Sequence, residues 1–255
     1  MDDYYVLNCS FGKDSMAMLK ICVDKGYPID EVCYIKMFYD KEHSAEYPEH
    51  YRFIQEVGIP YITDTLGLKY HEIIPKITYK ELFYKKFQKG EYKGQNYGFA
   101  QRWCAKCNSD IKVNAFRMYI SEMKRKGYRI CQYVGIAADE KKRIRSGLKK
   151  GLIMPLYNEG ITEREALKIC KSNNILSPLY SEKCIKRIGC FFCPHCTIPQ
   201  LRYLYMTSPD LIYDLAELDK YSPFKFHPPY TATELLRKFE SEAREQTKLS
   251  EFCTA

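Results

Sequence analysis

Along the first half of the chain, apolar and polar positions switch between two periods. Tyr4-Tyr5-Val6-Leu7-Asn8-Cys9 is a short apolar run that reads as a strand. A polar turn follows it, then helical spacing across Ser15–Lys25 that Gly26 stops. Glu31–Phe38 predicts a second strand, Tyr47–Val57 a helix ending at Gly58, and Tyr61–Asp64 a short third strand. A helix through Lys112–Lys126 precedes a later strand at Cys131–Ala137. Thr162 and Glu165 have capping-box spacing and open a helix to about Asn173. The last third is helical in pattern, with one helix over 198–220 and another over Thr233–Lys248. Such alternation predicts an α/β fold, an open parallel sheet with helices on both faces, followed by a mainly helical C-terminal part. The expected division is a nucleotide-binding domain over 1–196 and a helical extension over 197–255 packed on it.

Composition narrows the setting. With 255 residues and 45% apolar content the chain can build a sizeable core, which excludes disorder as a whole-chain description. Asp2 and Asp3 stand where a signal peptide needs basic residues, and no run approaches the roughly 20 apolar residues of a bilayer span. Twelve cysteines in such a chain imply a reducing, cytoplasmic location, where close pairs point to metal or catalysis before disulfides.

Charge is uneven. The net +8 conceals a segment, 80–150, with 19 Lys/Arg against 6 Asp/Glu, whereas 1–79 carries 8 against 13. A local basic field of that size attracts polyanions, either a nucleic acid or a polyphosphate nucleotide, although a solvated Lys-rich surface is the ordinary alternative. Aromatic residues interleave these charges: Tyr79, Phe83, Tyr84, Phe87, Tyr92, Tyr97, Phe99 and Trp103. They can stack on bases or form apolar helix faces. Gly90, Gly94 and Gly98 mark a loop among them.

The turn after the first strand, Cys9-Ser10-Phe11-Gly12-Lys13-Asp14-Ser15, sits where open parallel sheets bind ligands. Gly12 admits close backbone approach, Lys13 brings a positive point charge, and Ser10 and Ser15 bring hydroxyls. Asp14 suits magnesium. The G-x-x-x-x-G-K-[ST] spacing is absent, so this is not the common mononucleotide loop. Two C-x-x-C pairs, Cys104/Cys107 and Cys190/Cys193, lie 82 residues apart and can assemble a four-sulfur site for zinc or an iron–sulfur cluster. His195 and Cys196 can substitute for a ligand or lie behind one. Cys22, Cys33, Cys131 and Cys170 fall in apolar patterns and read as packing residues.

Ser10, Gly12, Lys13, Asp14 and Ser15 resemble the S-G-G-K-D-S loop of the PP-loop superfamily, the ATP pyrophosphatases, with Phe11 replacing the first glycine. Glu46-Tyr47-Pro48-Glu49, Arg102-Trp103-Cys104, Gly135-Ile136 with Asp139, Glu140 and Arg143, Pro178-Leu179-Tyr180 and Gly189-Cys190-Phe191-Phe192-Cys193-Pro194 follow in order. Together they resemble the phosphoadenosine phosphosulfate reductase family over about three quarters of the chain. A strand ending at Gly135 would deliver Asp139, Glu140 and Arg143 to the sheet edge that holds the first loop, where Arg143 could pair with phosphate or sulfate. Ala137 stands where the family often has arginine.

The resemblance implies ATP bound with Mg2+ at Ser10–Ser15, with Gly135, Asp139 and Glu140 completing the nucleotide site. Lys13, Asp14 and Arg143 are the catalytic candidates, and Cys104, Cys107, Cys190 and Cys193 the ligands of a [4Fe-4S] cluster or Zn2+. The leading reading is an enzyme that adenylylates its substrate, releases pyrophosphate, and transfers sulfur to a polyanionic or nucleic-acid acceptor (tRNA or DNA). A reductase of adenylyl sulfate or phosphoadenylyl sulfate is the alternative, with Cys253 as its thiol near the end of the chain. A non-catalytic, zinc-stapled nucleic-acid-binding module is the third. Helix 198–220 would cover the cysteine site or make a homodimer.

Overall fold

The computed structural model describes residues 2–182 and 185–253, with the side chains of the last helix through 245. Four strands are present in the described residues: β1 (Asp2–Asn8), β2 (Glu31–Ile35), β3 (Tyr70–Ile73) and β4 (Tyr128–Tyr133). The helices are α1 (Lys13–Asp24), α2 (Pro48–Phe53), α3 (Tyr79–Tyr84), α4 (Asn114–Arg125), α5 (Lys141–Lys149), α6 (Pro155–Asn158), α7 (Glu163–Ser172), α8 (Ile198–Thr207), α9 (Pro209–Leu218) and α10 (Ala232–Cys253). No helix among the described residues is long and apolar enough to cross a membrane.

The chain forms two compact units that interleave in sequence. The first takes residues 1–37, 49–76 and 112–188. Its sheet has the order β3-β2-β1-β4, and every neighbouring pair is parallel. Successive residues of a strand point to opposite faces, and β1 shows the result. Leu7 joins Met16 and Leu19 of α1, Leu156 of α6 and Ala166 of α7 on one side. Val6 joins Ala115, Phe116, Tyr119 and Met123 of α4 on the other. Helices therefore cover both faces of a parallel sheet, as the alternation implies.

The third strand is not where the pattern placed it. Tyr61–Thr65 is a π-helical turn that continues α2 and a further π-turn at Ile54–Gly58, and the strand lies at Tyr70–Ile73. The later strand also sits earlier than expected, at Tyr128–Tyr133, and the chain leaves the sheet before Gly135.

The second unit takes residues 38–48, 77–111 and 189–255. Its centre is aromatic: Tyr79 stacks on Phe192 at 3.8 Å between ring centroids, and Tyr39 packs on Phe191 at 4.8 Å. Lys80 of α3 bridges to Asp214 of α9 at 2.9 Å, and Arg202 of α8 to Glu242 of α10 at 2.7 Å. Side-chain amides of 96 and 101 and the backbone N–H of Phe99 bond to Tyr221, Lys225 and Ser222. A boundary between 196 and 197 would thus cut through this compact unit, because the C-terminal helices complete it.

Candidate functional site

In the first unit, Ser10–Ser15 joins β1 to α1 at the carboxyl end of a central strand. Ser15 closes the loop upon itself. Its hydroxyl donates to the Gly12 carbonyl at 3.0 Å and accepts the Ser10 N–H at 3.2 Å, with the Ser10 hydroxyl 3.4 Å away. Phe11 holds φ of 57°, the left-handed region that glycine usually fills. Its ring is fully buried against Tyr34, at 5.2 Å between centroids, and over Gly58, where an added Cβ would come within 2.5 Å of it. The left-handed backbone costs about 1–2 kcal/mol, and burial of a Phe ring returns about 1.5–3 kcal/mol. The substitution keeps the loop's turn and adds an anchor to its floor.

Lys13 is the centre of the charge arrangement. Its ammonium lies 2.8 Å from Asp14 Oδ1 and 2.9 Å from Glu163 Oε1 at the first residue of α7. Burial opposes its charge, but the two carboxylates outweigh burial and hold its pKa above the ordinary lysine value. Burial also raises the Asp14 carboxyl, and Glu163 and Glu140 add to that against the pull of Lys13. The Lys13 N–H donates to the Tyr180 hydroxyl at 3.1 Å, and the Cys170 thiol to the Lys13 carbonyl at 3.1 Å.

The expected second segment arrives at the same edge. Gly135 passes so close to α1 that an added Cβ would stand 3.0 Å from the Asp14 carbonyl carbon and oxygen, which explains a glycine there. Asp139 Oδ1 accepts the Glu163 N–H at 3.1 Å, so it ties the start of α7 to this second segment. Glu140 accepts the Ala137 N–H at 3.1 Å and pairs with Arg143. Arg143 therefore stands at the exposed start of α5 with its guanidinium engaged by Glu140. Glu163 and Tyr180 belong to the site although the sequence reading gave them no role. Each sat inside a recognised pattern, the capping box and Pro178-Leu179-Tyr180.

Both cysteine motifs belong to the second unit. Cys193 N–H donates to the Cys190 carbonyl and Cys196 N–H to the Cys193 carbonyl, each at 3.0 Å, which winds Cys190-x-x-Cys193-x-x-Cys196 into successive turns. Arg102 Nε donates to the Pro194 carbonyl at 2.9 Å and so binds the Arg102-Trp103-Cys104 segment to these turns. His227 Nε2 lies 2.7 Å from the Cys196 carbonyl. Burial first, then the Cys107, Cys190 and Cys193 thiols, push the Tyr79 hydroxyl well above the usual tyrosine range. Cys104 and Cys107 line a cavity that Tyr79 also lines. The Cys193 side chain, as a hydrogen-bond neighbour, and then burial push the Cys196 thiol well above the usual cysteine range. Among the described residues, no three His, Cys, Asp or Glu side chains form a metal-binding group as they stand. The sulfur donors on two turns nevertheless match a soft metal in kind.

Burial separates the described cysteines: six are buried, three are half-buried and Cys104 is exposed. Burial pushes Cys22, Cys33 and Cys170 up to about 12, which leaves them unreactive packing residues, as expected. Cys184 and the Cys253 side chain lie outside the described residues.

A model of the phosphoadenosine phosphosulfate reductase domain matches residues 4–196. No curated protein sequence matches the chain. Among solved structures, the U34-tRNA thiolase NcsA from Methanococcus maripaludis with its [4Fe-4S] cluster is similar at a TM-score of 0.46 and 14% identity, over 94% of this chain and 73% of that one.

Proposed function

The chain belongs to the phosphoadenosine phosphosulfate reductase domain family, and from that premise we propose that it is an ATP-dependent, adenylylating enzyme that transfers sulfur to a nucleic-acid acceptor. The observation that carries the reading is Lys13, held between Asp14 and Glu163 in the loop that follows the first parallel strand.

The chemistry follows from the charges. An acceptor oxygen attacks the α-phosphorus of ATP, the bond to the bridging oxygen breaks, and pyrophosphate leaves with that electron pair. A sulfur nucleophile then bonds to the acceptor carbon as the carbon–oxygen bond breaks and AMP departs. AMP is a far better leaving group than hydroxide, which is the reason to spend ATP. Lys13 and the loop amides stabilise charge on the phosphate oxygens, and the Ser10 and Ser15 hydroxyls orient them. Asp14 and Glu163 would repel a bare polyphosphate, so the site calls for ATP carrying Mg2+, with Asp14 as its carboxylate ligand. Gly135 lets the second segment approach the loop, Asp139 and Glu140 complete the nucleotide site with it, and Arg143 supplies an anion contact.

Cys104, Cys107, Cys190 and Cys193 would hold the soft metal, a [4Fe-4S] cluster or Zn2+. A cluster there would supply a site for sulfur, and zinc a structural staple. Iron and zinc content of anaerobically purified protein, against Cys107→Ser and Cys190→Ser, tests this. Metal retained by both variants overturns it.

Pyrophosphate release from ATP with Mg2+ is the decisive measurement for the reaction. Lys13→Ala is expected to lower it by at least a hundredfold, the usual scale for losing a charge-stabilising donor, while the protein remains folded by circular dichroism. Arg143→Gln is expected to raise KM for ATP with kcat little changed. Reduction of adenylyl sulfate without pyrophosphate release would replace this reading with the reductase one.

A further inference from the structure

Residues 79–107 of the second unit build a feature for which the adenylylation chemistry has no use. Lys86 and Asn96 pair across an antiparallel bridge. Phe87 N–H donates to the Gln95 carbonyl at 2.9 Å and Tyr97 N–H to the Lys85 carbonyl at 2.7 Å. The glycine-marked loop is therefore a hydrogen-bonded ribbon, and with the turn at Trp103–Cys107 it encloses a cavity of about 190 Å³. The walls are rings. Phe87 and Tyr97 lie 4.6 Å apart between centroids, Tyr92 packs on Phe224 at 4.9 Å, and Trp103 contributes a ring that is 77% exposed. The Lys106 ammonium sits 4.3 Å from the Tyr97 centroid and 5.4 Å from that of Phe87. Tyr79 also lines the cavity, with its hydroxyl buried.

We propose that this cavity takes one unpaired base of the nucleic-acid acceptor. A cavity of about 150 Å³ holds a benzene ring, so the volume here suits a single heterocycle. Rings on several sides give a flat aromatic ligand stacking partners, and stacking tolerates any base. An apolar ligand alone would have no need of the surrounding charge. Residues 79–107 carry 7 Lys/Arg against 2 Asp/Glu, which matches the phosphates flanking an inserted base. A base held in a duplex cannot enter, because its faces are covered by its neighbours. Cys104 and Cys107 share the cavity wall, which sets two of the residues that would hold the metal beside the bound base. The inference rests on the sulfur-transfer reading for its reaction but not for its binding.

Trp103 is the chain's single tryptophan, so its fluorescence reports on this cavity alone. Titration with a single-stranded RNA of about ten nucleotides, within the span of one single-strand site, is expected to quench it. A fully paired duplex of the same sequence, and ATP alone, are expected to leave it unchanged. By anisotropy of a labelled oligonucleotide, Trp103→Ala is expected to weaken binding about tenfold, as for the loss of one stacking partner, and the exposed position keeps this variant folded. Equal quenching by duplex, or unchanged affinity in Trp103→Ala, would overturn the proposal. Quenching by ATP that displaces the oligonucleotide would make the cavity a mononucleotide subsite and overturn it too. Lys13→Ala should lose pyrophosphate release while it retains oligonucleotide affinity. Release without single-strand binding sinks the cavity proposal alone, and binding without release sinks the ATP reading alone.

Discussion

Phe11 shows how one side chain can settle the shape of a loop. Its ring fills the space above Gly58, so the two positions are coupled by direct contact. Gly58→Ala is expected to lower unfolding free energy by about 1–3 kcal/mol through overpacking. Phe11→Gly should cost about 2–3 kcal/mol, the lost ring set against the relieved backbone. Urea denaturation of the double variant should show less than the sum of the two, because the clash has lost its partner. Glu31 provides a second residue-level expectation. It is 3% exposed, accepts a hydrogen bond from Tyr119, and pairs with Lys69 at 2.8 Å. Although burial works against its charge, these partners hold its carboxyl below the ordinary glutamate value. Its contribution is therefore present above the unfolded pKa and fades as pH falls through the folded one. Glu31→Gln should cost about 1.5–3 kcal/mol near neutrality, with the gap to the parent protein closing in acid. A gap that does not narrow at all as pH falls would exclude this assignment. At this scale Lys13, Asp14 and Ser15 were readable because the chain itself makes them neighbours. Glu163 and Tyr180 were not, because only tertiary packing brings them to the loop.

Among the elements, α7 connects local rules to the site. Thr162 Oγ1 accepts the Glu165 N–H and Glu165 accepts the Thr162 N–H, a complete capping box. Glu163, which grips Lys13, is the first residue of the helix so capped. Thr162→Ala should destabilise the protein by about 1 kcal/mol and lower pyrophosphate release severalfold as Glu163 frays. Thr162→Ser should restore both, and a stability loss with full activity would show that Glu163 needs no cap. The third strand marks the opposite case. Tyr61-Ile62-Thr63 has β-forming residues, yet Pro60 stands in helical conformation and the backbone continues the preceding helix through wide turns. The true strand, Tyr70-His71-Glu72-Ile73, is at the sheet edge and mixes exposed and buried positions. An edge strand with polar residues carries little hydrophobic signal. The covered strands β1 and β2 announce themselves.

For the molecule as a whole, the alternating fold was legible and the partition into units was not. Periodicity reports on neighbours in sequence, whereas the second unit is assembled from three separated segments. Its C-terminal part buries Leu201, Leu204, Ile212, Leu215, Phe226 and Phe239. A fragment ending at residue 196 should therefore keep the near-native first unit but show trypsin cleavage throughout 77–111, where lysines are dense. Protection of that segment in the fragment would mean that it folds without α8–α10. The two halves of the cysteine array share the dependence, since Cys104 and Cys107 precede the long insertion and Cys190 and Cys193 follow it.

Such interleaving also imposes a schedule on synthesis. Segment 77–111 leaves the ribosome before any of 189–255 exists, and β1 waits likewise for β4. At ~5–20 residues per second, the 77 residues from 112 to 188 take on the order of ten seconds to make. For that interval Tyr79, Phe83 and Phe99 have no C-terminal partners to cover them, and Cys104 and Cys107 stand as a lone dithiol. Nascent chains stalled before residue 189 should bind chaperones and oxidise at this pair, and chains that include 189–255 should do neither. Chain order thus makes the interval before completion the period of greatest exposure to aggregation and oxidants.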